Sequence, residues 1–159
     1  MRVILQRVNS ANVKVSDSVV GEIQKGLLVF VGIAVGDNAE DVNYLVAKTL
    51  GLRIFNNQEG KFDLSIQDIK GDLLIVSQFT LYADTRKGKR PSFISAMEPN
   101  DASKLFNITV QKFKASGLKV ETGKFQEEMQ VSLINDGPVT IFIDSKNWLD
   151  IGTDIQSLD

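Results

Sequence analysis

The chain has 159 residues, 43% of them hydrophobic and 24% charged, which suits one packed core and excludes disordered, collagenous and disulfide-stapled classes. Its formal charge of −2 leaves nucleic-acid contact to a local basic patch rather than to a globally cationic surface. It contains no cysteine and no histidine, so thiol nucleophiles, Cys/His zinc sites and histidine triads are excluded, and catalysis must use hydroxyls, carboxylates, lysines, backbone dipoles or a group borrowed from the substrate.

Val3, Leu5 and Arg7 alternate with Ile4, Gln6 and Val8 at the period of a strand, and Ser16-Asp17-Ser18 separates residues 13–15 from Val19 and Val20 as a hairpin turn. Residues 27–33, opened by Gly26, are apolar and rich in β-branched side chains, which predicts a strand buried on both faces at the sheet's centre. Asp37 with Glu40 three residues later reads as a capping box for a helix over 38–50, with Val42, Leu45, Val46, Thr49 and Leu50 at helical spacing. Residues 56–61 carry turn formers and read as a surface loop, and residues 73–82 return to strand composition.

A second helix is predicted over 99–116, with Pro99 in its first turn, an apolar face from Ala102 to Phe113, and Gly117 as its stop. Three short strands are predicted near 118–121, 129–134 and 139–143. Strand-rich order with two isolated helices predicts an α+β fold with a largely antiparallel or mixed sheet. The acidic, aperiodic stretch from Asp144 onward reads as an extension docked by Trp148 and Leu149. The apolar run at the N-terminus is too short for a signal peptide, and no run approaches the ~20 residues of a membrane span, so a soluble cytoplasmic protein is expected.

Four segments are candidates for chemistry. Ser77, Gln78, Phe79 and Thr80 follow the apolar run 73–76, where a rigid strand aims polar groups and its end exposes them, so Ser77 and Thr80 are placed to hydrogen-bond a reacting carbonyl. A half-exposed strand with a polar outer face fits the same pattern. Arg86, Lys87, Lys89 and Arg90 put four cations within five residues, either a site for nucleic-acid phosphates or a solvated loop.

Asn135-Asp136-Gly137-Pro138 is strong turn chemistry, plainly read as a hairpin connection. A functional role there needs a cis Gly137-Pro138 bond that turns carbonyls toward a ligand. Glu127 and Glu128, as neighbours on a strand, would point to opposite faces and would not act as an acid/base pair. Residues 60–64 have too few glycines for a phosphate-binding loop.

Together these segments resemble the D-aminoacyl-tRNA deacylase family over about residues 1–144. The likeness runs through Met1-Arg2-Val3-Ile4-Leu5-Gln6-Arg7-Val8, Leu52-Arg53-Ile54-Phe55 and Arg90-Pro91-Ser92-Phe93. It rests above all on the signatures Ser77-Gln78-Phe79-Thr80-Leu81 and Asn135-Asp136-Gly137-Pro138-Val139-Thr140. The resemblance implies a deacylase domain over 1–144 with an extension over 145–159, no cofactor or metal, and a homodimer with active sites at the subunit interface. The implied reaction is hydrolysis of the ester joining a D-amino acid, or glycine, to tRNA.

By the same resemblance, a Gly-cis-Pro turn at Gly137-Pro138 enters the partner's pocket and collides with an L side chain, a specificity built on exclusion. The 2′-hydroxyl of the terminal adenosine assists, and backbone N–H groups hold the oxyanion. Phe79 and Thr80 then matter through backbone and position, while Ser77 and Gln78 shape the adenosine pocket. Asn135, Val139, Phe125 and Met129 complete the substrate pocket, and Arg86, Lys87, Lys89 and Arg90 contact acceptor-stem phosphates.

One segment departs from the pattern: Phe125-Gln126-Glu127-Glu128-Met129 replaces the usual Phe-Gly-Ala-Asp-Met with bulkier, more acidic residues. The alternative is therefore a nucleic-acid-binding module of the same fold whose site Gln126 and Glu127 have closed. A third reading, editing of a wrong L-amino acid, requires the turn to be trans or displaced.

Overall fold

The alternating N-terminal segment forms one long strand, β1 (Arg2–Val15), in a computed structural model that describes residues 1–146. Trp148 and Leu149 lie outside the described residues. β1 turns back through Ser16 and Asp17, both at positive φ (47° and 64°), into β2 (Ser18–Ile23), as a two-residue hairpin turn requires. β3 (Gly26–Gly32) is buried on both faces and central, antiparallel to the first half of β1 and parallel to β6 (Asp72–Ser77). β7 (Val120–Thr122) extends the parallel part, and β8 (Gln130–Asp144) pairs with β1. The result is the expected mixed α+β sheet, in the order β2-β1-β3-β6-β7 with β8 on β1. β4 (Phe55–Asn56) and β5 (Phe62–Leu64) form a separate small hairpin, so the predicted surface loop is largely its tip.

α1 (Ala39–Gly51) and α2 (Pro99–Lys114) bury Leu45 and Phe106 against Val3, Leu5, Val29 and Ile75 on one face of the sheet. A second apolar cluster, with Val13, Ile23, Leu28, Leu74 and Val76, fills the other. The predicted apolar face of α2 is found, with Ala102, Leu105, Phe106, Thr109, Val110 and Phe113 all buried. No helix among the described residues is long and apolar enough to cross a membrane.

The cap of α1 differs from the predicted Asp37–Glu40 pair. Asn38 is the N-cap, its side chain accepting from the Glu40 N–H (2.8 Å), and the Asp41 carboxylate accepts from the Asn38 N–H (2.9 Å). Asp37 is drawn away by stronger partners, the Met1 ammonium at 2.8 Å and the Ala34 N–H at 2.7 Å. The Ser145 hydroxyl donates to Asp41, and the Lys146 ammonium lies 2.9 Å from it, so the end of β8 is tied to α1.

Burial alone would raise the Asp41 carboxyl, but the Ser145 hydroxyl, the Lys146 ammonium and the Asn38 amide outweigh it and hold it down at about 2. A depressed carboxyl contributes stability above its unfolded value of 3.8 and loses it as pH falls toward 2. Asp41→Asn should therefore remove about 2 kcal/mol of stability near neutrality and flatten the curve across that acid window, as measured by urea unfolding at stepped pH.

Three further predictions are corrected. The strand predicted over 73–82 ends at Ser77, because Val31 provides the last partner on β3, and Phe79–Tyr82 coils into a 3-10 turn. Gly32 lets that turn pack down, since a Cβ there would sit 2.9 Å from Leu81 Cβ and 3.1 Å from the Gln78 carbonyl oxygen. The strands predicted over 129–134 and 139–143 are one strand, β8, because β1 is long enough to pair with both halves. Residues 135–140 are thus no hairpin connection: Val8 faces Asn135 and Gln6 faces Thr140, leaving residues 136–139 to bulge out opposite Arg7. Gln126, Glu127 and Glu128 lie on a turn and not a strand, with Gln126 at φ 64°, where the usual glycine would be unstrained.

Candidate functional site

The parallel strands β3 and β6 end together, and outside their carboxyl ends opens a cleft of about 560 Å³. Such edges favour ligand sites because the connections diverge there and leave backbone groups uncovered. Val31, Val76 and Ser77 line it from the sheet, Pro99 and Ala102 from the start of α2, and Phe125 and Met129 from the turn before β8. Gln126 and Glu127 also line it, so the departure in that segment falls on the cleft wall.

The 3-10 turn supplies the lip. Gln78 and Phe79 line the cleft, and the Phe79 ring, 57% exposed, meets Phe93 edge-on at 4.9 Å. The Gln78 N–H donates to the Val31 carbonyl (2.8 Å) and the Leu81 N–H to the Gln78 carbonyl (3.2 Å). Between them, the amides of Phe79 and Thr80 have no acceptor among the described residues, as expected for the first turn of a helix. The Thr80 hydroxyl accepts from the Gln78 side-chain amide and does not line the cleft. With no carboxylate or amine bonded to it among the described residues, that hydroxyl has no base.

The second signature stands elsewhere. The Gly137-Pro138 bond is cis, both residues are exposed, and neither lines this chain's own cleft. Asn135 closes the bulge from within, its oxygen accepting from the Val139 N–H (3.1 Å) and its amide donating to the Thr140 hydroxyl (3.0 Å). Val139 turns its side chain into the core. The structure thus joins Ser77, Gln78, Phe79, Phe125 and Met129 around one cleft, with Thr80 beside it, and sets Asn135, Gly137, Pro138 and Val139 apart.

Sequence reasoning missed the individual role of Arg7. It is only 5% exposed and lies opposite the bulge, where Nε donates to the Asp136 carbonyl (3.1 Å) and pairs with its carboxylate (3.2 Å), while Nη1 donates to the Ile54 carbonyl (2.7 Å). The signal was present: Arg7 occupies the inward register of Val3 and Leu5, and a charge in that position demands partners.

The basic loop leaves the 3-10 turn and returns to the cleft at Phe93, its neck closed by the Asp84–Ser92 bridge (2.8 and 2.9 Å). Arg86 grips Asp84 through Nε and Nη2 (2.9 and 2.7 Å), which draws the Asp84 carboxyl down to about 2 and raises Arg86. Lys87, Lys89 and Arg90 are exposed and have no ion-pair partner among the described residues.

Comparison with known proteins is consistent across the chain. Residues 4–144 match the family described as D-Tyr-tRNA(Tyr) deacylase. The D-aminoacyl-tRNA deacylase of Desulfitobacterium hafniense (strain DSM 10664 / DCB-2) is 55% identical over 146 residues, covering 92% of this chain and 98% of that protein. That of Thermosipho africanus (strain TCF52B) is 53% identical over 146 residues, with the same coverage. Among solved structures, the c-Myc DNA Unwinding Element Binding Protein superposes with a TM-score of 0.85 at 35% identity, covering 91% of this chain and 98% of that one. A probable eukaryotic D-amino acid tRNA deacylase gives 0.80 at 19% identity, covering 90% and 98%, which supports the fold.

Proposed function

The chain belongs to the D-Tyr-tRNA(Tyr) deacylase family and is a D-aminoacyl-tRNA deacylase, a hydrolase of aminoacyl-tRNA, and from that premise we propose how it selects and cleaves its substrate. It works as a cytoplasmic homodimer on residues 1–144 of each subunit, without a cofactor, and removes D-amino acids and glycine from tRNA. The terminal adenosine enters the cleft between Ser77, Gln78 and the Phe125–Met129 wall. The observation that carries this reading is the pair of unpartnered amides on Phe79 and Thr80 at the cleft lip.

A water oxygen adds to the acyl carbon, and the carbonyl oxygen becomes an oxyanion facing those two N–H groups. The bond from the acyl carbon to the 3′-oxygen then breaks. The attacking water loses a proton and the departing 3′-oxygen gains one, with the 2′-hydroxyl beside it as the relay. The free amino acid and tRNA leave. The chain has no histidine or cysteine to do this work, so a group supplied by the RNA agrees with its composition.

Gly137 and Pro138, at the tip of the 136–139 bulge, are exposed and held apart from the chain's own cleft, which suits the tip to reach the cleft of a second copy. There its backbone occupies the space that an L side chain needs, while a D side chain points away and glycine has none to collide. Exposed Ile134 and Phe142 on β8, on either side of the bulge, give such a contact apolar surface.

Single-turnover hydrolysis of matched D-, L- and glycyl-tRNA by EDTA-treated protein tests this reading. Rapid loss of the D and glycyl esters with the L ester spared is expected, and equal acceleration of D and L would overturn the filter. No acceleration by folded protein that binds tRNA would favour the nucleic-acid-binding reading, which the name of the DNA-unwinding-element-binding neighbour makes worth separating.

Arg86, Lys87, Lys89 and Arg90 are assigned to acceptor-stem phosphates, with Arg86 weakened by its pairing to Asp84. Replacing Lys87, Lys89 and Arg90 together by alanine should reduce the log–log salt slope of tRNA binding by about 3 and leave the D/L rate ratio unchanged. Filter binding across a salt series checks this, and an unaltered slope would remove the loop from the interface.

A further inference from the structure

We propose that the β4–β5 hairpin acts in chiral selection, with Phe62 and Asn56 as positioning residues that fix the Arg7 guanidinium and, through it, the 136–139 bulge. This rests on the reading that the bulge is the chiral filter. Arg7 reaches the bulge through Nε, which bonds Asp136, the residue immediately before Gly137. Its other end lies in a bracket built by the hairpin. Nη1 donates to the Ile54 carbonyl at 2.7 Å and approaches the Asn56 side-chain oxygen at 3.4 Å.

Two rings flank the same group, with Arg7 Cζ 5.4 Å from the Phe62 ring centre and 6.0 Å from that of Phe55. Phe55 is buried, but Phe62 is 55% exposed, so core packing alone does not explain an aromatic at that site. A ring over a guanidinium does, because the face of the π-system attracts the cation and restricts its tilt. The ring is held in turn by the hairpin: Asn57 accepts from the amides of Glu59 (2.9 Å) and Lys61 (3.1 Å), and Arg53 pairs with Asp63 at 3.3 Å. A planar fork transmits orientation, so tilting the guanidinium at the hairpin moves its Nε at Asp136.

The test uses Phe62→Ala, Phe62→Tyr and the double variant Asn56→Ala/Phe62→Ala, with Gly137→Ala as the reference for the filter itself. The D-over-L ratio of kcat/KM should fall about two- to fivefold in Phe62→Ala and further in the double variant, with the D rate nearly unchanged. Phe62→Tyr, which keeps the ring, should restore it. A merely structural role would lower D and L rates together and leave the ratio intact.

A second readout is the Arg7 Nε–H signal in nitrogen–proton spectra, expected to be protected from exchange in the parent and lost in the double variant. Persistence of both the signal and the ratio in the double variant overturns the hairpin's role. Loss of the Arg7 signal with no change of ratio in either the double variant or Gly137→Ala leaves the clamp standing and overturns the filter reading instead. Loss of the ratio in Gly137→Ala but not in the double variant overturns this inference alone.

Discussion

Gly137→Ala should lower the D-over-L ratio of kcat/KM by about tenfold or more while leaving most of the D-ester activity, as read from single-turnover rates on both esters. Gly137 sits at φ 123°, a sparsely populated region that costs a residue with a Cβ about 1–3 kcal/mol. The added Cβ would also lie 2.9 Å from Arg7 Nη2 and 2.9 Å from Val139 Cγ2. Val139 is fixed in the core and Arg7 is bonded on both sides, so the bulge itself must give way. The cleft groups on the 3-10 turn are not part of that bulge, which is why D hydrolysis survives. An unchanged ratio would show that this backbone does not exclude the L side chain.

Arg7→Ala should be the most destabilising of these substitutions and should carry the same loss of discrimination. It strips the Ile54 carbonyl and the Asp136 carbonyl of their donors and leaves the Asp136 carboxylate without its partner. Breaking a buried pair from one side costs about 3–5 kcal/mol, and since the Asp136 side chain is 34% exposed, about 2–3 kcal/mol is the expected loss here. In thermal unfolding that corresponds to a drop in Tm of about 5–10 °C. Arg7→Lys should rescue little, because a single ammonium cannot reach Ile54 and Asp136 together as the fork does. Combined with Gly137→Ala, the effects on the ratio should be less than additive, since both act on one bulge.

How much of this was legible in the sequence depended on where the information lay. Local patterning located both helices and the central strand, because the apolar spacing of α2 and the unbroken run of β3 record their burial directly. It failed where a distant partner decided. Nothing in residues 129–143 says that β1 is long enough to pair with both halves, so one strand with a bulge looked like two strands and a turn. The α1 cap was misplaced by one residue because Asp37 was claimed by Met1, remote in sequence from the helix start.

Of the site, the two signatures were recognisable by resemblance, but their separation in space was not. Arg7 shows the limit best: its place in an apolar register was visible, whereas its partners at Ile54 and Asp136 belong to the fold. The hydroxyl of Thr80, placed by the sequence to hydrogen-bond a reacting carbonyl, instead accepts from the Gln78 side chain, and the backbone beside it is what remains open.

The central claim is that the bulge of one subunit guards the cleft of another, and mixed dimers test it most directly. One subunit carries Ala96→Trp, which fills the cleft that Ala96 lines, and the other carries Gly137→Ala with an open cleft. With differently tagged subunits purified as the heterodimer, the sole open cleft faces the intact bulge of the blocked subunit. Parent-like D selectivity from this heterodimer, against indiscriminate hydrolysis by the Gly137→Ala homodimer, is the predicted result. Hydrolysis of the L ester by the heterodimer at the rate per open cleft of that homodimer would contradict it.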